Sequence, residues 1–161
     1  MHKIHIRPIS LDDVYPINEL RRIKGVQENI LGIGSERLMQ TEDFIKNLTH
    51  HDHLFVAEIE KEGQKIVIGV VGIHLNSIPR LRHSAEIGLM VHPDYQNQKI
   101  GRQLVTTVLD LADQWLKLVR IQLEVFIDNQ PAIQLYQSLG FVIEGTCKYA
   151  AIQYGNTMTL I

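Results

Sequence analysis

Between residues 85 and 139 the chain reads as strand, helix, strand, helix, and this order constrains its fold most. Residues 85–91 are apolar with strand-like alternation. Residues 100–118 place Ile100, Leu104, Val108, Leu111, Ala112 and Trp115 on one helical stripe. Residues 120–127 read as a second strand. Residues 131–139 read as a second helix, ended by Gly140, the residue type that suits the first position past a helix. Upstream, residues 54–59 and 65–75 are apolar and β-branched around Glu62-Gly63, which reads as a hairpin. Residues 3–8 alternate as a strand. Residues 11–24 read as a helix with Ser10 as N-cap and Asp12 and Asp13 in the first turn. Residues 36–48 are helical in character, and residues 141–150 and the tail from Tyr154 read as two last strands. Residues 25–35 and 76–83 carry no clear pattern. This order predicts a mixed α/β (α+β) architecture in one domain spanning 1–161.

Composition excludes several classes. The chain has 161 residues, 45% apolar and 21% charged, which argues against disorder. Sixteen Lys plus Arg against eighteen Asp plus Glu leave no broad basic surface, so neither nucleic acid nor a membrane is expected as partner. The longest apolar run, residues 66–73, is well short of the roughly 20 that a membrane helix needs. Residues 1–7 alternate in polarity and lack the apolar core of a signal peptide. Cys147 is the only cysteine, so no intrachain disulfide forms and a cytoplasmic location is expected.

The chemistry concentrates in Met90-Val-His-Pro-Asp-Tyr-Gln-Asn-Gln-Lys-Ile-Gly-Arg102. This is a buried strand, a turn through Pro93 and the start of the long helix. A helix start offers free N–H groups and the positive dipole end, a ready site for phosphate. Gly101 lets a backbone approach a ligand without an intervening side chain.

Tyr95-Gln-Asn-Gln-Lys-Ile-Gly101 resembles the acetyl-CoA motif of the GNAT family of N-acetyltransferases, Q/R-x-x-G-x-G/A. Gln96 matches its first position and Gly101 its last, while Lys99 replaces the middle glycine. Asp128-Asn-Gln-Pro-Ala-Ile-Gln-Leu-Tyr-Gln-Ser-Leu-Gly-Phe141 resembles the family's N-x-x-A-x-x-L-Y-x-x-x-G-F stretch. Asn129, Ala132, Leu135, Tyr136, Gly140 and Phe141 all match. The nearest look is to the bacterial amino-acid N-acetyltransferase branch.

The resemblance implies the GNAT fold: a central twisted mixed sheet of about 6–7 strands flanked by helices, with strands 4 and 5 splayed to hold acetyl-CoA. It implies that Leu89, Met90 and Val91 bond the pantetheine through their backbone. The N–H groups of Asn97, Gln98, Lys99, Ile100, Gly101 and Arg102 would hold the pyrophosphate, after Gln96. Asn129 would contact the pantetheine arm, and Tyr136 would sit near the sulfur as the acid that protonates the leaving thiolate. Such transfer also needs a base for the amine and a donor for the carbonyl oxygen, here a backbone N–H near Met90. Glu86 and Glu124 are candidate bases. Strand alternation frees both from the most apolar face, and acids at these positions recur as proposed bases in the family.

Other residues read plainly. His50-His-Asp-His53 has adjacent rather than spaced ligands and reads as a solvated turn, so no metal is expected. His92 reads as a turn residue, Cys147 as packing, and Arg80 and Arg82 as loop residues able to pair with a substrate carboxylate. Lys99 and Arg102 flank the phosphate turn. The expected activity is acetyl transfer from acetyl-CoA to a small amine, with the α-amine of an amino acid preferred. Protein N-terminal acetylation and a non-catalytic acyl-CoA sensor stay open. A homodimer is expected from the frequency of dimers in the family.

Overall fold

The apolar runs around Glu62-Gly63 pair as an antiparallel hairpin, β2 (Asp52–Lys61) with β3 (Gln64–Leu75). Both turn residues have positive φ, 52° and 76°, as the turn that matches strand twist requires. A computed structural model describes residues 3–161; residues 1 and 2, where the alternating opening begins, lie outside the described residues. β1 (His5–Pro8) pairs antiparallel with β2, and β4 (Ser84–Val91) with β3. β5 (Arg120–Gln122) joins β4 in parallel, giving a mixed sheet ordered β1-β2-β3-β4-β5. β6 (Cys147–Gln153) and β7 (Asn156–Leu160) form a separate antiparallel ribbon. The strand count matches expectation, but it is divided between two sheets.

Helices cover both faces of the larger sheet. On one face α1 (Val14–Arg22), α2 (Lys24–Gln27) and α3 (Leu38–Lys46) bury Ile17, Leu20, Val26 and Ile45 against Val56 and Val70. On the other, α4 (Ile100–Gln114) and α5 (Gln130–Ser138) bury Ile100, Leu104, Val105, Val108 and Tyr136 against Val71, Ile73, Ala85 and Ile87. A bulge at Ile68 switches the faces of β3. Ala57 pairs with Gly69 and Glu58 with Val67, so Ile68 has no partner in the register. Ile66 and Ile68 then share the α4 face with Val71 and Ile73, while Val67 joins Val70 on the other. That is why residues 66–73 show no alternation. The carbonyl of Ile68 accepts the N–H of His92 at 2.8 Å and fixes the end of β4.

A charged network lies beneath β1. Arg7 donates to both carboxylate oxygens of Asp13 at 2.8 and 2.9 Å, and its Nε donates to Glu58 at 2.8 Å. Glu58 and Asp13 are 3% and 2% exposed. Asp13 also accepts the N–H of Ser10, the residue before a 3-10 turn (Leu11–Asp13) that leads into α1.

Four expectations change. The α4 helix stops at Gln114 rather than 118, because Lys117 adopts φ 53° and the chain folds back so that Leu118 N–H bonds Ala112. Trp115, placed on the apolar stripe, is therefore past the helix and 79% exposed. The strand expected over 120–127 pairs with β4 only at Arg120–Gln122, then changes partner: Val125 and Ile161 exchange both backbone bonds at 2.9 Å. The strand expected from 141 begins at Cys147, and Cys147 itself is exposed rather than packed. Among the described residues no helix is long and apolar enough to cross a membrane.

Candidate active site

β4 and β5 hold together over only Ser84–Glu86, so the far half of β4 has one free edge. The bonds from Asn76 N–H to Ser84 and from His92 N–H to Ile68 show that even-numbered residues of β4 face β3. Leu89 and Val91 therefore turn their backbone groups to the free edge. Met90 does not: its backbone belongs to the β3 ladder, opposite Val70, which corrects its expected backbone contact. Gln96 Nε2 donates to the carbonyl of Val91 at 3.2 Å and folds the loop onto that edge.

The loop reaches α4 through two left-handed residues, Asn97 at φ 59° and Lys99 at φ 64°. The left-handed conformation at Lys99 explains why a glycine suits the middle of the motif. Lys99 is the N-cap of α4 and supplies no side-chain cap. The first helical bond runs from Gln103 N–H to the Lys99 carbonyl at 3.0 Å, so the N–H groups of Ile100, Gly101 and Arg102 precede the ladder. No acid occupies this first turn. A left-handed residue followed by right-handed ones directs successive N–H groups to one point, an anion nest. Gly101 also serves packing. A Cβ there would lie 3.2 Å from Leu135 and 3.4 Å from Leu89.

A cavity of about 940 Å³ spans the β4 edge, this nest and the first turns of α5. Of the expected residues, Leu89, Met90, Val91, Gln96, Asn97, Lys99, Ile100, Gly101, Arg102 and Asn129 line it. Asn129 Oδ1 caps α5 by accepting from Ala132 N–H at 3.3 Å. Gln98, Glu86, Glu124 and Tyr136 are not on its wall. Gln98 donates back to the Asp94 carbonyl at 3.4 Å. Glu86 is exposed and accepts from Gln122 Nε2 at 2.9 Å, while Glu124 is exposed beyond the paired part of β5. Tyr136 is 7% exposed and meets Phe141 edge-on at 5.5 Å. Among the described residues nothing hydrogen-bonds its hydroxyl. Burial pushes its phenol up to about 12, so it holds its proton throughout the neutral range.

Residues 25–35, which carry no clear pattern, and the β6–β7 turn supply the rest of the wall: Gly25, Val26, Glu28, Asn29 and Ile30 around α2, and Gln153 and Tyr154. Gly25 sits so close to Pro93 that a Cβ would lie 2.9 Å from its ring. Loop 76–83 is not on the cavity, so Arg80 and Arg82 are not placed to meet a substrate carboxylate there. His92 is a turn residue whose ring accepts from Asp94 N–H at 3.2 Å. His50–His53 resolves into separate contacts. Asp52 pairs with His74 at 2.8 Å, the rings of His50 and His51 touch, and His53 Nε2 is buried without a partner. Among the described residues no three His, Cys, Asp or Glu are grouped to hold a metal.

A sheet that parts after strand 4 beside an uncapped helix start is the architecture the two motifs imply. The Acetyltransferase (GNAT) family model matches residues 19–141, and the chain belongs to that family. Over 89 residues, 55% of each chain, it is 38% identical to the L-amino acid N-acetyltransferase AaaT of Escherichia coli K12. It thus spans about half the length of that relative. Over 146 residues, 89% of this chain and 81% of the relative, it is 28% identical to the spermidine N(1)-acetyltransferase of Vibrio cholerae. The structure of Vibrio cholerae spermidine N-acetyltransferase in complex with CoA and spermine matches with a TM-score of 0.83 at 26% identity, covering 98% of this chain and 91% of that one.

Proposed function

We propose that this chain transfers the acetyl group of acetyl-CoA directly to the primary amine of a small molecule. The observation that carries the reading is one cavity joining a free strand edge to an uncapped helix N-terminus. Acetyl-CoA fits this pair of features. Its pyrophosphate suits the nest, with Lys99 and Arg102 adding charge. Its amide-bearing arm suits the edge at Leu89 and Val91, with Asn129 alongside. Acetyl-CoA supplies an acyl group already activated as a thioester.

The chain's own residues then manage two protons and one developing charge. Glu86 or Glu124 is the proposed base that takes a proton from the amine. Gln122 holds Glu86 through Oε1 and leaves Oε2 open. The Leu89 or Val91 N–H replaces that of Met90 as donor to the carbonyl oxygen as charge builds there. Tyr136 is the proposed acid for the sulfur.

The test is CoA thiol release from acetyl-CoA with pooled amino acids, pooled polyamines or peptides bearing free N-termini. Release with a small amine sustains the proposal. Release with peptides alone makes the chain an N-terminal acetylase. Tight acetyl-CoA binding without release makes it a sensor.

Lys99 gives a sharper check on the nest. If backbone N–H groups hold the anion, Lys99→Ala raises the acetyl-CoA KM by less than about tenfold. Lys99→Gly binds at least as well as Lys99→Ala. It also melts at no lower temperature, because glycine adopts φ 64° without steric cost. A hundredfold KM increase for Lys99→Ala would transfer the role to its ammonium group.

A further inference from the structure

Four charged side chains line the cavity: Lys99 and Arg102 at the first turn of α4, Glu28 at the end of α2, and Asp128 just before α5. Both cations thus stand where the pyrophosphate is proposed to bind. The rest of the wall offers only negative charge.

Glu28 is held in place from two directions. It is the C-cap of α2, and its main-chain carbonyl accepts from Gln153 Nε2 at 3.0 Å. Its Oε1 accepts the Tyr154 hydroxyl at 2.6 Å. A carboxylate has about four acceptor sites, so capacity remains for a cationic donor. The tyrosine fixes the orientation of the group without neutralising it.

We propose that Glu28 selects an acceptor carrying a second cationic group, a diamine or polyamine, over an α-amino acid. This rests on the acetyl-transfer reading of the same cavity. An amino acid would bring its carboxylate to a wall whose free charges are Glu28 and Asp128, with Arg80 and Arg82 elsewhere. A second ammonium group instead gains a charge-assisted hydrogen bond to Glu28. Tyr154 is a positioning residue for that contact.

The experiment compares putrescine, butylamine and γ-aminobutyrate as acceptors in CoA release, with the wild-type protein and with Glu28→Gln. These acceptors share a four-carbon chain and differ in the charge at its far end. Wild type is expected to show a kcat/KM for putrescine about tenfold or more above that for butylamine, with γ-aminobutyrate below both. In Glu28→Gln the ratio of putrescine to butylamine falls toward one. Glutamine keeps the side-chain length and the carbonyl used by Gln153, and the ratio is internal to each protein, so a general loss of fold does not imitate the effect. Equal rates for putrescine and butylamine, or a preference that survives in Glu28→Gln, overturn the proposal. If no amine releases CoA, the transferase reading fails by itself, and calorimetric titration of putrescine into the CoA-bound protein decides the rest. Saturable binding weakened tenfold or more by Glu28→Gln sustains the role of Glu28; absent or unchanged binding overturns it.

Discussion

Arg7→Met is expected to destabilise the protein by about 3–5 kcal/mol, the range for stripping the partner from a buried charge. Arg7 satisfies two carboxylates at once, and the side chains of Asp13 and Glu58 are 3% and 4% exposed. Burial alone would push Glu58 up, but hydrogen bonds from Arg7, His5 and Lys65 outweigh it and hold its carboxyl at about 2. Burial likewise acts upward on Asp13, and bonds from Arg7 and Ser10 bring it below the ordinary carboxylate range. Both pKa values are thus depressed in the folded state. Their stabilisation is complete above the ordinary Glu value of 4.5 and is lost as pH falls toward about 2. Urea unfolding at several pH values should show wild type weakening through this window. In Arg7→Met, Asp13 keeps only Ser10 and Glu58 only His5 and Lys65, so both carboxyls rise from their wild-type position and the weakening on the acid side shrinks. A variant within about 1 kcal/mol of wild type at pH 7 would mean that water, not Arg7, satisfies the pair.

Tyr136→Phe is expected to lower kcat by about 10²-fold or more while leaving the fold intact. The substitution deletes a hydroxyl with no hydrogen-bond partner among the described residues and keeps the ring against Phe141. Stability should therefore change little. Acetyl-CoA affinity should also hold, because a proton donor to sulfur matters chiefly as charge develops there. The loss should appear in kcat and kcat/KM together. The raised phenol keeps the proton available at any pH below about 12, so the defect should not be relieved by acidification. Steady-state kinetics beside a direct acetyl-CoA binding measurement makes the check. Near-wild-type turnover would return Tyr136 to a packing role, which its 7% exposure and its place off the cavity wall would also accommodate.

What the sequence made legible were features written in neighbouring residues. Glu62-Gly63 announced its hairpin because a two-residue turn needs positive φ. Gly140 marked the end of α5, which it terminates at φ 94°, whereas the cap that Asn129 provides at its start was not read. The phosphate loop was readable through Gln96 and Gly101, although the need for Gly101 to clear Leu135 was not. Features set by distant partners were hidden. Nothing near Leu123 signals that β5 leaves β4 to bond Ile161 instead. Lys117 ends α4 in a conformation that lysine seldom adopts, so the stripe seemed to continue through Trp115. Glu28 and Tyr154 meet across 126 positions, and no local pattern marks either. The part of the cavity wall they build was illegible for that reason.

The same separation bears on the order in which the molecule assembles. The β2–β3 hairpin closes over a two-residue turn, at little entropic cost, and draws its strength from contacts local in the chain. The cavity brings together Glu28, Val91, Lys99, Asn129 and Tyr154, which come from nearly the whole length of the polypeptide. Its long closures follow only after both sheets exist. In refolding, far-ultraviolet signal from the hairpin and helices should therefore recover ahead of acetyl-CoA binding. Simultaneous recovery would show that the walls assemble with the nucleus. The cavity is then a late product of folding, and a nascent chain lacking β6 and β7 carries the nest without the part of the wall that Gln153 and Tyr154 supply.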